Sequence, residues 1–319
     1  MSAESDNKPL WKFICKTLLF AVLPAVLFLS AYEAAYRNIP NSYSLKKEYL
    51  DTMADSVEVL VLGSSHSYYG INPEYLSLRT FNAANVSQTL DYDALIYNTW
   101  FRGKPAPRYV VLTISYSTLW GRISLGKEHW RSRKYSIYMG FGSWRDWFSP
   151  DGYEFQLGDR TVLGYYLLGK DFVGCSDTGF GTVYKCGSGE DLYETGVSAA
   201  VRHSLMSAAT AELCRNNIAL IGDIIDDCAE HGKKVFFLIT PTYITYREAL
   251  PPVQVRRTHE VLDSLHAAYP DNTAILDLSS DPRFAAADFY DGDHLCTDGA
   301  AKLSVILNDT LPKVFNRIP

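Results

Sequence analysis

The run Val57-Glu58-Val59-Leu60-Val61-Leu62 leads directly into Gly63-Ser64-Ser65-His66-Ser67, and few architectures accommodate that pairing. A short, nearly unbroken Val/Leu run reads as a strand covered on both faces, as in parallel sheets held between helices. Gly63 admits backbone angles that other residues avoid, so the chain can turn sharply where the strand ends. Ser64 and Ser65 then fall at the carboxyl end of the strand, where open α/β sheets place their ligands. A helix beginning there leaves N–H groups free to face developing negative charge.

Other segments share the pattern. Arg108–Ile114, Lys234–Thr240 (ended by Pro241) and Ala274–Leu278 read as buried strands, and Thr80–Asn82 as a shorter one. Helical sequence lies at about 90–100, 208–231, 253–268 and 297–315, where Leu303, Ile306, Leu307 and Leu311 fall on one face. Strands alternating with helices predict an α/β domain, a mostly parallel sheet covered by helices on both faces. The alternation fails between about 117 and 201, which holds Trp120, Trp130, Trp144 and Trp147 among many Tyr and Phe. That length is too great for a structureless loop, so a folded insertion with its own packing is expected inside a domain spanning 55–319.

The N-terminus carries a different signal. Between Phe13 and Tyr32 the one charge is Lys16, and about 20 apolar residues suffice to cross a bilayer as a helix. Lys8, Lys12 and Lys16 lie on the leading side, with Glu33 and Arg37 beyond. The basic flank places the N-terminus in the cytosol and the remaining chain outside it. Pro24 is tolerated in a membrane helix. A cleaved signal peptide is the rival reading, but no good A-x-A-like site follows the run. Residues 1–35 are thus expected to be a cytosolic tip and anchor in a bacterial cytoplasmic membrane. Residues 36–54, with breakers Asn38, Pro40 and Asn41, read as a linker or a first capping segment.

A net charge of −6 over 319 residues, with no basic stripe, gives no sign of a nucleic-acid partner. The six cysteines include no C-x-x-C spacing. Cys175 and Cys186 flank a Gly-rich stretch and are read either as a disulfide formed outside the cytosol or as two thiols. Cys214 and Cys228 lie too far apart along helical sequence to bond each other.

Serine is a poor nucleophile until a base takes its proton and a carboxylate orients that base. Asp291-Gly292-Asp293-His294 supplies both near the other end of the chain. On a helical turn, residues three apart share a face, so Asp291 can hold one ring nitrogen of His294 while the other faces a serine. Ser65, Asp291 and His294 are the candidate catalytic residues. Asp293 competes as orienter, although adjacency to His294 gives it poorer geometry. Cys296 is expected to be a small buried residue rather than a nucleophile.

These residues resemble the SGNH (GDSL-like) hydrolases. Gly63-Ser64-Ser65 is similar to the family's first block, Gly-Asp-Ser, and the Gly-Ser-Ser form is similar to that of membrane-anchored D-alanyl-transfer and polysaccharide O-acetylation members. Asn82 to Thr89 resembles the second block, Asn-x-x-x-x-Gly-x-Thr, with Ser87 in the glycine position, and Asp291 to His294 resembles the last block, DxxH. The likeness covers roughly 55–116 and 234–312. It implies a flavodoxin-like three-layer α/β/α sandwich and ester chemistry at Ser65, with His294 as base and Asp291 as orienter. It also implies an oxyanion site at the N–H groups of Ser65 and Ser87.

The third block normally supplies an Asn, and this chain has Ser115-Tyr116-Ser117 there. The hydroxyls of Ser117 or Tyr116 are the candidate replacements, and Asn85 and His66 are further candidates for substrate contact. His66 could also ligate a metal, but lining the cleft or capping the helix start is the simpler role. The expectation is a serine esterase or O-acyltransferase acting on acyl, chiefly acetyl, esters of a cell-envelope polysaccharide, with no metal or cofactor. A membrane acyltransferase is a candidate partner. The alternative is a non-catalytic relative that binds glycan or scaffolds such an acyltransferase.

Overall fold

In this computed structural model five strands, β1 (Val59–Leu62), β2 (Thr80–Asn82), β3 (Tyr109–Thr113), β4 (Lys234–Ile239) and β5 (Thr273–Asp277), form one sheet in the order β2-β1-β3-β4-β5. Every pairing is parallel. This is the flavodoxin-like winding, whose strand order reverses between β1 and β3. The structure describes residues 8–143, 145, 152–154, 160–187, 189 and 191–315. Its helices are α1 (Lys8–Arg37), α2 (Ser42–Met53), α3 (Ser65–Tyr68), α4 (Leu90–Trp100), α5 (Ser132–Lys134), α6 (Thr161–Leu168), α7 (Leu192–His203), α8 (Ala211–Glu230), α9 (Ile244–Ala249), α10 (Pro252–Ala268) and α11 (Thr297–Phe315).

Alternation along the strands builds two cores. Leu60, Leu62, Val110, Leu112, Val235 and Phe237 point to one face, where Tyr97 of α4, Ile221 and Ile224 of α8 and Val261 of α10 cover them. Val59, Val61, Val111, Phe236 and Leu238 point to the other, beneath Leu303, Leu307 and Leu311 of α11. Neighbouring strand residues face opposite ways, while the four-residue spacing on α11 stacks its leucines on one stripe. Burying each such leucine contributes roughly 1.5–3 kcal/mol. The result is a three-layer α/β/α sandwich.

Three sequence readings need correction. Residues 36–54 are not simply a linker, because α2 packs Tyr43 and Leu50 into the first core. Asn41, read as a breaker, is its N-cap and accepts from the N–H groups of Tyr43 and Ser44. The aromatic segment does not pack by itself either. Leu119, Trp120, Ile123, Tyr135, Tyr138 and Met139 extend the same core as the sheet. Trp144, Trp147 and residues 1–7 lie outside the described residues.

The third correction concerns the cysteines. Cys186 is bonded to Cys296, and Cys175 is free. An antiparallel bridge pairs Cys175 with Gly181, turning the chain back so that Cys186 continues toward the start of α11. There the Thr297 N–H donates to the Tyr184 carbonyl at 2.9 Å. Cys296 is therefore buried as a disulfide partner rather than as a small apolar filler. Cys214 and Cys228 are both free on α8.

Residues 11–37 of α1 are long and apolar enough to cross a membrane. Beyond Ser30 the helix docks on the domain, burying Glu33 and Tyr36.

Candidate active site

β1 delivers Ser65 to the strand-order reversal. Gly63 has φ +127°, and a Cβ there would lie 2.7 Å from Ser67 Oγ, so this turn requires glycine. The Gly63 N–H donates to Asp93 Oδ1 at 2.9 Å, and Ser67 Oγ donates to the Leu62 carbonyl at 3.0 Å. Asn82, at the end of β2, donates to the carbonyls of Ser67 and Ile71, both at 2.8 Å. Ser65 is thus the first residue of a short helix braced from α4 and from the end of β2.

The second half of the site is a turn, not the helical turn expected from the spacing. Residues 291–294 precede α11, which begins only at Thr297. Asp291 Oδ1 accepts from the N–H groups of Asp293 (3.0 Å) and His294 (2.8 Å). An aspartate folded onto its own following backbone outcompetes the helix locally. Neighbours pin this turn. Gly292 donates to Thr195 Oγ1 at 2.9 Å and accepts from the Tyr243 N–H at 3.0 Å. A Cβ on Gly292 would come within 2.1 Å of Gly196 Cα, so α7 touches the turn backbone to backbone.

The two halves meet. His294 Nε2 lies 2.7 Å from Ser65 Oγ, and His294 Nδ1 lies 3.0 Å from each carboxylate oxygen of Asp291. Asp293 adds a second carboxylate behind the ring, its Oδ1 3.5 Å from His294 Nδ1. Its Oδ2 faces His66 Nε2 at 3.5 Å and His203 Nδ1 at 3.9 Å. Burial works against charge on His294, but Asp293 and then Asp291 outweigh it, and the imidazolium is pushed up to about 9. Burial likewise opposes charge on Asp293, yet His294, His66 and His203 together hold it well below the usual carboxylate range. His203 is pushed down to about 4, chiefly by burial, with Asp293 opposing.

No protein-family model matches the chain, and no curated protein matches it. Among solved structures, a Streptococcus pneumonia protein provisionally described as a platelet activating factor aligns with 91% of this chain and 99% of its own, at 13% identity and a TM-score of 0.45. Superposition that loose adds nothing to what the residues here establish.

A cavity of about 210 Å³ opens beside Ser65. Hydroxyls of Ser64, Ser87, Thr89, Ser115, Ser117 and Thr118 line it, together with His66 and His203. Ser87 sits at φ +58°, a left-handed angle that glycine adopts most readily. Its hydroxyl is bonded to the Glu128 carboxylate. Ser117 reaches the cavity, with its Oγ 3.1 Å from Ser115 Oγ. Tyr116 does not line it: its hydroxyl lies 3.5 Å from His259 Nε2, and its carbonyl accepts from Gln254. Asn85 is buried under α2, where its Oδ1 accepts from Ser42, and it too is absent from the lining. His66 stacks on the His294 ring with centroids 5.0 Å apart.

His66, Asp293 and His294 bring one potential metal-ligating atom each within 4.8 Å of one another. His294 is committed on both ring nitrogens, to Asp291 and to Ser65, so a metal there would remove the only base facing the serine among the described residues. The arrangement is better fitted to passing a proton from the Ser65 hydroxyl to an imidazole held by a carboxylate.

Sequence reasoning missed several contributors. Asp93 braces the Gly63 turn from α4, and burial pushes its carboxyl up to about 7 against the bonds from Gln88 and Gly63. Tyr184 stacks between Tyr69 and Tyr290, at 3.8 and 3.9 Å, beside His294. His203 enters from the end of α7. Tyr184 and His203 lie far from any motif, and only its place early in α4, just after the Asn82–Thr89 segment, could have drawn attention to Asp93.

Proposed function

We propose that this chain is a membrane-anchored serine esterase or O-acyltransferase of SGNH type, acting outside the cytosol on acyl esters of a cell-envelope glycan. The observation that carries the reading is the contact of Ser65 Oγ with His294 Nε2 at 2.7 Å, with both oxygens of Asp291 on the opposite ring nitrogen. In the productive form His294 is neutral and its Nδ1 proton faces Asp291. Ser65 Oγ attacks the acyl carbonyl while Nε2 takes its proton. The tetrahedral oxyanion is met by the N–H groups of Ser65 and Ser87, with the Ser117 hydroxyl close by. His294 then gives the proton to the departing alcohol, leaving the acyl group on Ser65. Water or a glycan hydroxyl, deprotonated by the same imidazole, completes hydrolysis or transfer.

The lining supports a polar acceptor, since six residues with hydroxyls line the cavity beside Ser65. α1 supports the anchor, and the Cys186–Cys296 disulfide supports an oxidising compartment. A polysaccharide acceptor and a membrane acyltransferase that loads Ser65 are the partners this reading calls for.

One observation favours the non-catalytic alternative. Glu128 puts a carboxylate on the Ser87 hydroxyl, beside the place where an oxyanion would form, and no asparagine follows β3. Losing one oxyanion donor typically costs ~100–1000-fold in rate. A fluorophosphonate probe decides between the readings. The wild-type chain should be labelled and the Ser65→Ala variant should not. An unlabelled, folded wild type that still binds glycan would replace the enzyme with a binding protein.

A further inference from the structure

The helix α6 has no place in the chemistry above, and its exposure is unusual. It reads Thr161-Val-Leu-Gly-Tyr-Tyr-Leu-Leu168, apolar nearly throughout. Leu167 is 73% exposed and Leu168 70%, and Leu163, Tyr166 and Phe172 also present large apolar surface to solvent. Contiguous apolar surface of this kind marks an interaction site. α6 is tied to α1, where the Tyr166 hydroxyl donates to the Ala35 carbonyl at 3.2 Å.

That tie fixes its height. The apolar run of α1 ends near Tyr32, and at 1.5 Å per residue Ala35 stands about 4.5 Å beyond it. From that height an amphipathic segment can sink its apolar face the roughly 5–10 Å that such helices reach into the boundary between headgroups and acyl chains. Tyr165 and Tyr166 are residues suited to that boundary. Arg160 and Lys170 bracket the helix and are exposed, placed to reach lipid phosphates while the leucines enter the acyl region.

We infer that α6 lies in the outer interface of the same bilayer that α1 crosses, so that the domain rests on the membrane instead of swinging on a tether. The occupant of this surface is phospholipid. The inference rests on the membrane-anchor reading and is independent of the chemistry at Ser65. It also accounts for the docked end of α1, since a helix packed into the domain at Glu33 and Tyr36 holds α6 at one depth.

The test uses the full-length chain in phosphatidylcholine/phosphatidylglycerol vesicles, in a background with Cys15→Ser and Cys175→Ser. A nitroxide is placed at Leu167→Cys and, as control, at Ser124→Cys, both on exposed side chains. At 167 the label should meet oxygen several-fold more readily than a water-soluble nickel complex, and at 124 the order should reverse. Alkaline carbonate extraction run beside it reports on α1 separately. Solvent-like behaviour at 167 in carbonate-resistant protein overturns the inference and leaves the anchor intact. Release of the wild type by carbonate overturns both. Dipolar broadening between labels at 167 would mean that a second copy covers α6, and would equally overturn the lipid assignment.

Discussion

His294 Nε2 and Ser65 Oγ stand 2.7 Å apart although 229 positions separate the two residues in the chain. Five parallel strands and their crossovers close that distance, and a disulfide two residues beyond the histidine holds the far end.

The pH profile should be alkaline. Nε2 accepts the serine proton only when the imidazole is neutral, and two carboxylates stabilise its charged form. Activity should therefore rise with pH, and kcat/KM on a small acetyl ester should have its midpoint near 9 instead of the ordinary 6.5. Asp293→Asn removes one of those charges, so the midpoint should move down. The other charged and titratable groups facing His294 (Asp291, His66, Tyr69, His203, Tyr184 and the more distant Arg202) are unchanged in that variant. An unmoved limb would show that Asp293 does not act on the base.

Asp291→Asn should cut kcat by ~10³–10⁴-fold with KM little changed, because an amide holds the wrong tautomer of His294. Circular dichroism should show an intact fold. Retained activity would mean that Asp293, not Asp291, orients the ring.

Ser87→Gly should be close to neutral for stability. Relief of a left-handed serine gains ~1–2 kcal/mol, and loss of the bond to the Glu128 carboxylate costs about 1.5–3 kcal/mol. The backbone N–H survives, so kcat should hold or rise once the Glu128 carboxylate loses its anchor. A large fall would assign the hydroxyl itself to the oxyanion site.

Gly292→Ala should be the damaging change at the turn. Its Cβ would collide with Gly196 Cα, forcing α7 and the 291–294 turn apart. Probe labelling of Ser65 should fall at least tenfold while the thermal transition remains cooperative.

Removing the disulfide, by Cys186→Ser with Cys296→Ser or by reductant, should lower stability by about 2–5 kcal/mol, as for closure of a long loop. Denaturant melts of oxidised and reduced protein measure it directly. Equal midpoints would count against the bond.

Much of this was legible from residues close together in sequence. The strands and α4, α10 and α11 appear within a residue or two of their expected ends, because periodicity and caps act over a few positions. The Gly63 turn and the Asp291–His294 spacing are local too, and so was the choice of candidates. What is local can also mislead. The DxxH spacing suggested a helix, yet Asp291 captures two backbone N–H groups and makes a turn. Asn41 suggested a linker, yet it caps a packed helix.

Only the tertiary structure decided which distant groups meet. It gave Cys186 to Cys296 instead of Cys175, turned Tyr116 away from the cavity while keeping Ser117 in it, and set Asp293 and His203 behind the base. Those outcomes depend on strand order and on side-chain burial across the sheet. No window of sequence contains both partners, so composition and spacing alone could not fix them.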